Sequence, residues 1–182
     1  MRHFYLVRHA HSDWSPDENR PLSEKGFKEA ARVADVLSAY PITQIYSSPY
    51  LRARQTIQQL ASRLNIQVQI ESDLQERILS YKAVDDFLDA IQQTWEDPYF
   101  AHPGGESNRT AQNRAIGVIT RILESERDEH IVLSTHGNLL AVLLQKYDPS
   151  IDFAFWRSLT FPDIYKLSLE SPDKGIIEKL WD

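Results

Sequence analysis

Three short apolar runs in this chain each stop at a histidine or an arginine. Phe4-Tyr5-Leu6-Val7 runs into Arg8-His9, and Ile45-Tyr46-Ser47-Ser48-Pro49 runs into Tyr50-Leu51-Arg52-Ala53-Arg54. Ile131-Val132-Leu133-Ser134-Thr135 runs into His136-Gly137. Runs this short, rich in aromatic and β-branched residues, read as buried strands and not as helices. Helical patterns separate them, and strands alternating with helices imply a mostly parallel sheet covered on both faces. In open α/β sheets of this kind ligands bind at the carboxyl edge of the strands. The pattern therefore brings Arg8, His9, Arg52 or Arg54, and His136 to one edge.

The intervening segments supply the helices. Ser23 is placed to cap a helix whose apolar face is Phe27, Ala30, Ala31, Ala34 and Leu37, stopped by Pro41. A strand over residues 42–48 leads to a second helix over residues 49–64, buried through Ile57, Leu60, Ala61 and Leu64. Ile66, Val68 and Ile70 alternate with glutamines as a half-buried strand. Residues 81–103 are the least patterned stretch: Val84, Phe87, Leu88, Ile91 and Trp95 suggest a helix, followed by an irregular aromatic loop. After Gly104-Gly105-Glu106-Ser107, a long helix presents Ala111, Ala115, Val118, Ile119, Ile122 and Leu123. An apolar helix over residues 137–144 and strands over residues 164–169 and 175–181 complete the chain. The expectation is a three-layer α/β/α sandwich, one domain over residues 1–182.

Composition narrows the chemistry. With 0 cysteines the 182-residue chain has no disulfide, thiolate metal site or cysteine nucleophile. A net charge of −6 argues against a general nucleic-acid surface, though not against a local basic pocket. The start, Met1-Arg2-His3-Phe4-Tyr5, lacks a signal-type apolar region, and no apolar run approaches the roughly 20 residues that span a bilayer. The expected setting is cytoplasmic, with no membrane and no nucleic-acid partner. No G-x-S-x-G elbow and no G-x-x-x-x-G-K-[ST] loop is present, so neither an α/β-hydrolase nor a P-loop ATPase is supported.

Leu6-Val7-Arg8-His9-Ala10, Ser47-Ser48-Pro49-Tyr50-Leu51-Arg52-Ala53 and Ser134-Thr135-His136-Gly137, in that order, resemble the histidine phosphatase superfamily, the phosphoglycerate mutase-like group with many small phosphatases. The resemblance implies the same α/β/α fold and a metal-independent phosphomonoesterase working through phosphohistidine, with no cofactor. It implies His9 as nucleophile, Arg8 and Arg52 as clamps on the phosphoryl oxygens, and His136 as a further donor to them. The chemistry suits these residue types. Neutral imidazole, with a free pKa near ~6.5, can attack phosphorus. Guanidinium answers the oxygens' charge with planar paired donors. Arg52 precedes an alanine, as in the family motif, and is preferred over Arg54, read as a solvated helix arginine.

The resemblance places the leaving-group acid after the third strand, where Glu76 stands, with Glu71 and Asp73 as neighbouring rivals. Here the chain departs from the family: Arg77-Ile78-Leu79-Ser80-Tyr81 replaces the glycine- and tryptophan-bearing stretch of many members. Ser12 is a candidate phosphate contact, and the backbone at Gly104-Gly105 is a candidate anion cradle or a simple turn. His9-Ala10-His11 with His136 allows a three-histidine zinc site as the lesser reading, since Arg8 and Arg52 would repel a cation there. His3, His102 and His130 are assigned no chemistry, and Trp14 is placed at the pocket rim. The implied partner is a small phosphorylated substrate or a phosphoprotein. The alternatives are a phosphoglycerate mutase-type transferase and a non-catalytic phospholigand-binding module.

Overall fold

A computed structural model describes residues 1–125 and 129–182. The strands are β1 (Arg2–Arg8), β2 (Gln44–Ser47), β3 (Val68–Ile70), β4 (His130–Thr135), β5 (Asp163–Ser171) and β6 (Lys174–Lys179). The helices are α1 (Glu24–Leu37), α2 (Leu51–Leu64), α3 (Phe87–Glu96), α4 (Asn108–Ser125), α5 (Gly137–Gln145) and α6 (Phe153–Ser158). All six strands form one sheet in the order β3-β2-β4-β1-β5-β6. β1, β2, β3 and β4 pair in parallel, whereas β5 is antiparallel to β1 and β6 to β5.

The period of two along β1 separates the two faces. Phe4 and Leu6 pack with Ala115, Val118 and Ile119 of α4 and with Leu139, Leu140 and Leu143 of α5. Tyr5 and Val7 pack on the other side with Val33, Ala34 and Leu37 of α1 and Ile57 and Leu60 of α2. Burial on both faces explains why β1 and β4 read as unbroken apolar runs instead of alternating ones. The mostly parallel three-layer α/β/α arrangement expected from the sequence is the one observed.

The differences lie at the periphery. The buried stripe of α1 is Gly26, Ala30, Val33, Ala34 and Leu37, while Phe27 is 49% exposed. The helix is turned so that Gly26 abuts the loop after β1: a Cβ there would lie 2.0 Å from the His11 carbonyl oxygen. β3 is shorter than its alternation suggests and sits at the sheet edge, which leaves Ile70 exposed. In α3 the buried residues are Ala90, Ile91 and Thr94, and Phe87 and Leu88 face outward. The short α6, capped by Asp152, was not anticipated.

Candidate active site

The register of the sheet aligns the three strand ends. Arg8 pairs with Thr135, and Ser47 pairs with Ser134. The His9 amide then donates to the Thr135 carbonyl at 3.0 Å, and the Ser48 amide to the Ser134 carbonyl at 2.9 Å. The crossover from β1 through α1 and β2 returns β4 between β1 and β2. His9 and His136 thus become neighbours, their ring centroids 5.2 Å apart.

The two histidines are held in opposite senses. His9 Nδ1 lies 2.8 Å from the Ala10 carbonyl oxygen, which can only accept, so Nδ1 carries the proton. Nε2 is then a lone pair, and Arg52 Nε donates to it at 3.3 Å. Burial lowers the His9 pKa to about 3, helped by the nearby charges of Arg52, Arg8 and Arg20 and opposed by the bond to Ala10. The imidazole is neutral at physiological pH. His136 lies 1% exposed, and burial, then His9 and the same arginines, hold it well below the ordinary imidazole value. Its Nε2 is 2.8 Å from Ser48 Oγ, which already accepts the Tyr50 amide. We assign the Ser48 hydroxyl proton to that Nε2, which puts the His136 proton on Nδ1, an atom without a protein partner among the described residues.

The arginines are anchored by carbonyls. Arg8 Nη1 donates to the Leu159 carbonyl at 3.0 Å, and its guanidinium lies over the Phe161 ring at 3.5 Å. Gly137 packs beneath it: a Cβ there would lie 2.8 Å from the guanidinium and displace it from this seat. Arg52, in the first turn of α2, donates through Nη1 to the Glu18 carbonyl at 2.9 Å. Burial lowers both pKa values to about 10, which leaves both charged at neutral pH.

Glu76 sits at the N-terminus of α5. Its Oε1 accepts the Arg77 and Leu139 amides at 2.8 and 3.0 Å, and its Oε2 accepts the Asn138 amide at 2.9 Å. A carboxylate is the favoured partner for such a helix end. Arg114 of α4 holds the segment before it by donating to the Asp73 and Gln75 carbonyls at 2.6 and 2.9 Å. Glu71 and Asp73 instead face Arg121, away from the histidines.

These groups line a cavity of about 350 Å³. Arg8, His9, Arg52, Glu76 and His136 are brought together there, with Arg20 and Arg77 added. Against four guanidinium groups Glu76 is the one carboxylate of the lining, so the cavity attracts anions. Arg54 lies outside it, in a shallow depression with Gln55, Gln58 and Ile70. A larger hollow beside the end of α2 is lined by uncharged side chains such as Gln58, Ser62 and Gln67 and offers no comparable chemistry.

The structure places three further candidates of the sequence. Ser12 does not line the cavity, because its hydroxyl donates to the Pro21 carbonyl at 2.6 Å. The Gly104-Gly105 segment is a turn: the Gly105 amide is spent on His102 and the Glu106 amide on Ile78, so no cradle forms. His11 is not aimed at the other histidines. Its Nδ1 pairs with Ser23 Oγ at 2.7 Å, and among the described residues no three His, Cys, Asp or Glu side chains are disposed to hold a metal. Arg20, Arg77 and Ser48 are the residues that sequence reasoning missed. An arginine directly after the candidate acid was the available signal for Arg77. Arg20 lies in an unpatterned loop that offered none.

The family model for the histidine phosphatase superfamily (branch 1) matches residues 4–175. The chain belongs to that superfamily. Among its relatives, phosphoserine phosphatase 1 of Hydrogenobacter thermophilus is 28% identical over 145 residues, which cover 72% of this chain and 69% of the relative. A Salmonella choleraesuis protein named "Probable phosphoglycerate mutase GpmB" is 25% identical over 159 residues, covering 79% and 74%. A mycobacterial glucosyl-3-phosphoglycerate phosphatase in complex with VO3 superposes with a TM-score of 0.82 at 25% identity, covering 98% of each chain. The relatives thus include proteins named as phosphatases. Among the described residues no helix is long and apolar enough to cross a membrane.

Proposed function

We propose that this superfamily member hydrolyses small phosphomonoesters through a phosphohistidine on His9. The observation that carries the reading is the His9 tautomer. Nδ1–H is committed to the Ala10 carbonyl, which leaves the Nε2 lone pair at the centre of a cationic cavity. That lone pair attacks phosphorus while the ester P–O bond breaks. Arg8, Arg52 and the His136 Nδ1–H answer the charge on the transferring oxygens, an electrostatic role that water-excluded sites strengthen. Glu76, when protonated, delivers its proton to the departing oxygen and releases the alcohol. A water then attacks the phosphohistidine, its proton passes to the Glu76 carboxylate, the P–N bond breaks, and phosphate leaves with His9 neutral again. No step calls for a metal.

The test is rapid quenching with radiolabelled phosphomonoester, beside phosphate release in excess chelator. Acid-labile, base-stable label on wild type, absent from His9→Ala, together with undiminished release in chelator, is the expected result. Turnover by His9→Ala, or loss in chelator restored by zinc, would overturn it. Label passing to a phosphoglycerate and not to water would assign the mutase reaction, and binding without either would assign the phospholigand module.

A further inference from the structure

We infer, resting on that hydrolase reading, that the site selects phosphomonoesters of alcohols that carry an aromatic ring, and that Trp14 and Phe87 seat the ring. The floor of the cavity is charged, but its mouth is not. Trp14, Leu79, Phe87, Trp156 and Phe161 add an apolar part to the cavity's lining. Trp14 is 81% exposed, Phe87 60% and Phe161 42%. Large apolar side chains left in water singly need no explanation, but their convergence on one opening marks a binding surface.

The convergence is not a local accident of sequence. Trp14 comes from the loop after β1, Phe87 opens α3, and Phe161 precedes β5. Phe161 is already engaged, stacked under the Arg8 guanidinium and 5.4 Å from the His9 ring. Trp14 and Phe87 have no ring partner among the described contacts. An aromatic ring seated at this opening would bury apolar surface against them at small entropic cost.

The rest of the substrate follows from the floor. Glu76 stands beside the phosphoryl site, and a proton donor matters most for an alkyl oxygen, a poor leaving group. The ring is therefore carried on an alkyl ester oxygen. The rival is a substrate with a second anion, bound by Arg77. That guanidinium already donates to Thr94, Asn108 and Asn138 at 2.8, 3.1 and 3.4 Å, which leaves it fewer free donors than Arg8 or Arg52. The cavity volume of about 350 Å³ is near the small end of the ~300–1,000 Å³ typical of ligand sites and suits a single small molecule.

Phosphonates separate this inference from the hydrolase reading, because they bind without turning over. Calorimetry on the whole protein would compare methylphosphonate, 2-phenylethylphosphonate and 2-carboxyethylphosphonate. We expect the phenylethyl compound to bind roughly tenfold tighter than either of the others. The Trp14→Ala/Phe87→Ala double variant should bring the phenylethyl and methyl compounds to within a few-fold of each other. Tighter binding of the carboxyethyl compound, or an aromatic preference that survives in the variant, would overturn the inference. So would equal loss of all three in the variant, which would give the two residues a structural role. Absence of turnover on every ester with the phosphonate pattern intact would refute the hydrolase reading and leave only the aromatic preference in binding standing.

Discussion

The floor and the mouth of the cavity are built on different principles. On the floor, His9, Arg52 and His136 are buried at 5%, 6% and 1% exposure, and each is fixed by at least one hydrogen bond. Their burial is costly, since it strips charged and polar groups of water, and it persists because the strands beneath are covered on both faces. At the mouth, Trp14 and Phe87 are exposed, at 81% and 60%. The difference teaches that buried, hydrogen-bonded groups are concentrated where charge must be met, while apolar surface at the opening is left in water.

The sharpest way to break this comparison is to remove a floor group. His9→Ala should lower phosphate release by roughly 10³-fold or more, as loss of a nucleophile does; a mild effect would make the floor no more critical than the mouth. Glu76→Gln should lower alkyl phosphate hydrolysis by roughly 10²–10⁴-fold and nitrophenyl phosphate hydrolysis far less. Equal losses on both would reduce Glu76 to a cap on α5. Arg52→Lys should cost roughly 10²-fold despite retained charge, because a point charge cannot reproduce the guanidinium donors, while Arg54→Lys should change little.

A last effect concerns pH. Buried His9 stays neutral down to about 3 and His136 is likewise depressed, whereas unfolded histidine protonates near ~6.5. Below that value the unfolded state binds more protons, so stability is full above ~6.5 and declines as pH falls, by up to about 1.4 kcal/mol per unit for each histidine. Chemical denaturation at stepped pH should show this slope, and His9→Asn should flatten it. An unchanged slope in the variant would mean that His9 is not kept neutral by the fold.

The floor was legible in the sequence because its chemistry is tied to strand ends. Once Leu6, Val7 and Leu133 are recognised as buried strand residues, Arg8, His9 and His136 have nowhere else to go. The mouth was not. Phe87 shares helical spacing with Ile91, and periodicity cannot tell a face turned to the core from one turned to a cavity. Arg20 reaches the site through loop geometry that leaves no periodic mark. Ser12 failed for a related reason: a hydroxyl near a phosphate site has local carbonyls to satisfy, and Pro21 takes it.

The position of β4 has a consequence for synthesis. It is the strand between β1 and β2, yet it leaves the ribosome after both, more than 80 residues behind β2. Until then β1 and β2 each hold an open hydrogen-bonding edge, and Arg8, His9, Arg52 and Glu76 have been made with no His136 to join them. Closure of the sheet is a long-range event, which slows folding and keeps two apolar strands available to other chains. A nascent chain halted before residue 130 would carry most of the cavity's charged groups and no cavity, with those unpaired edges as its dominant property.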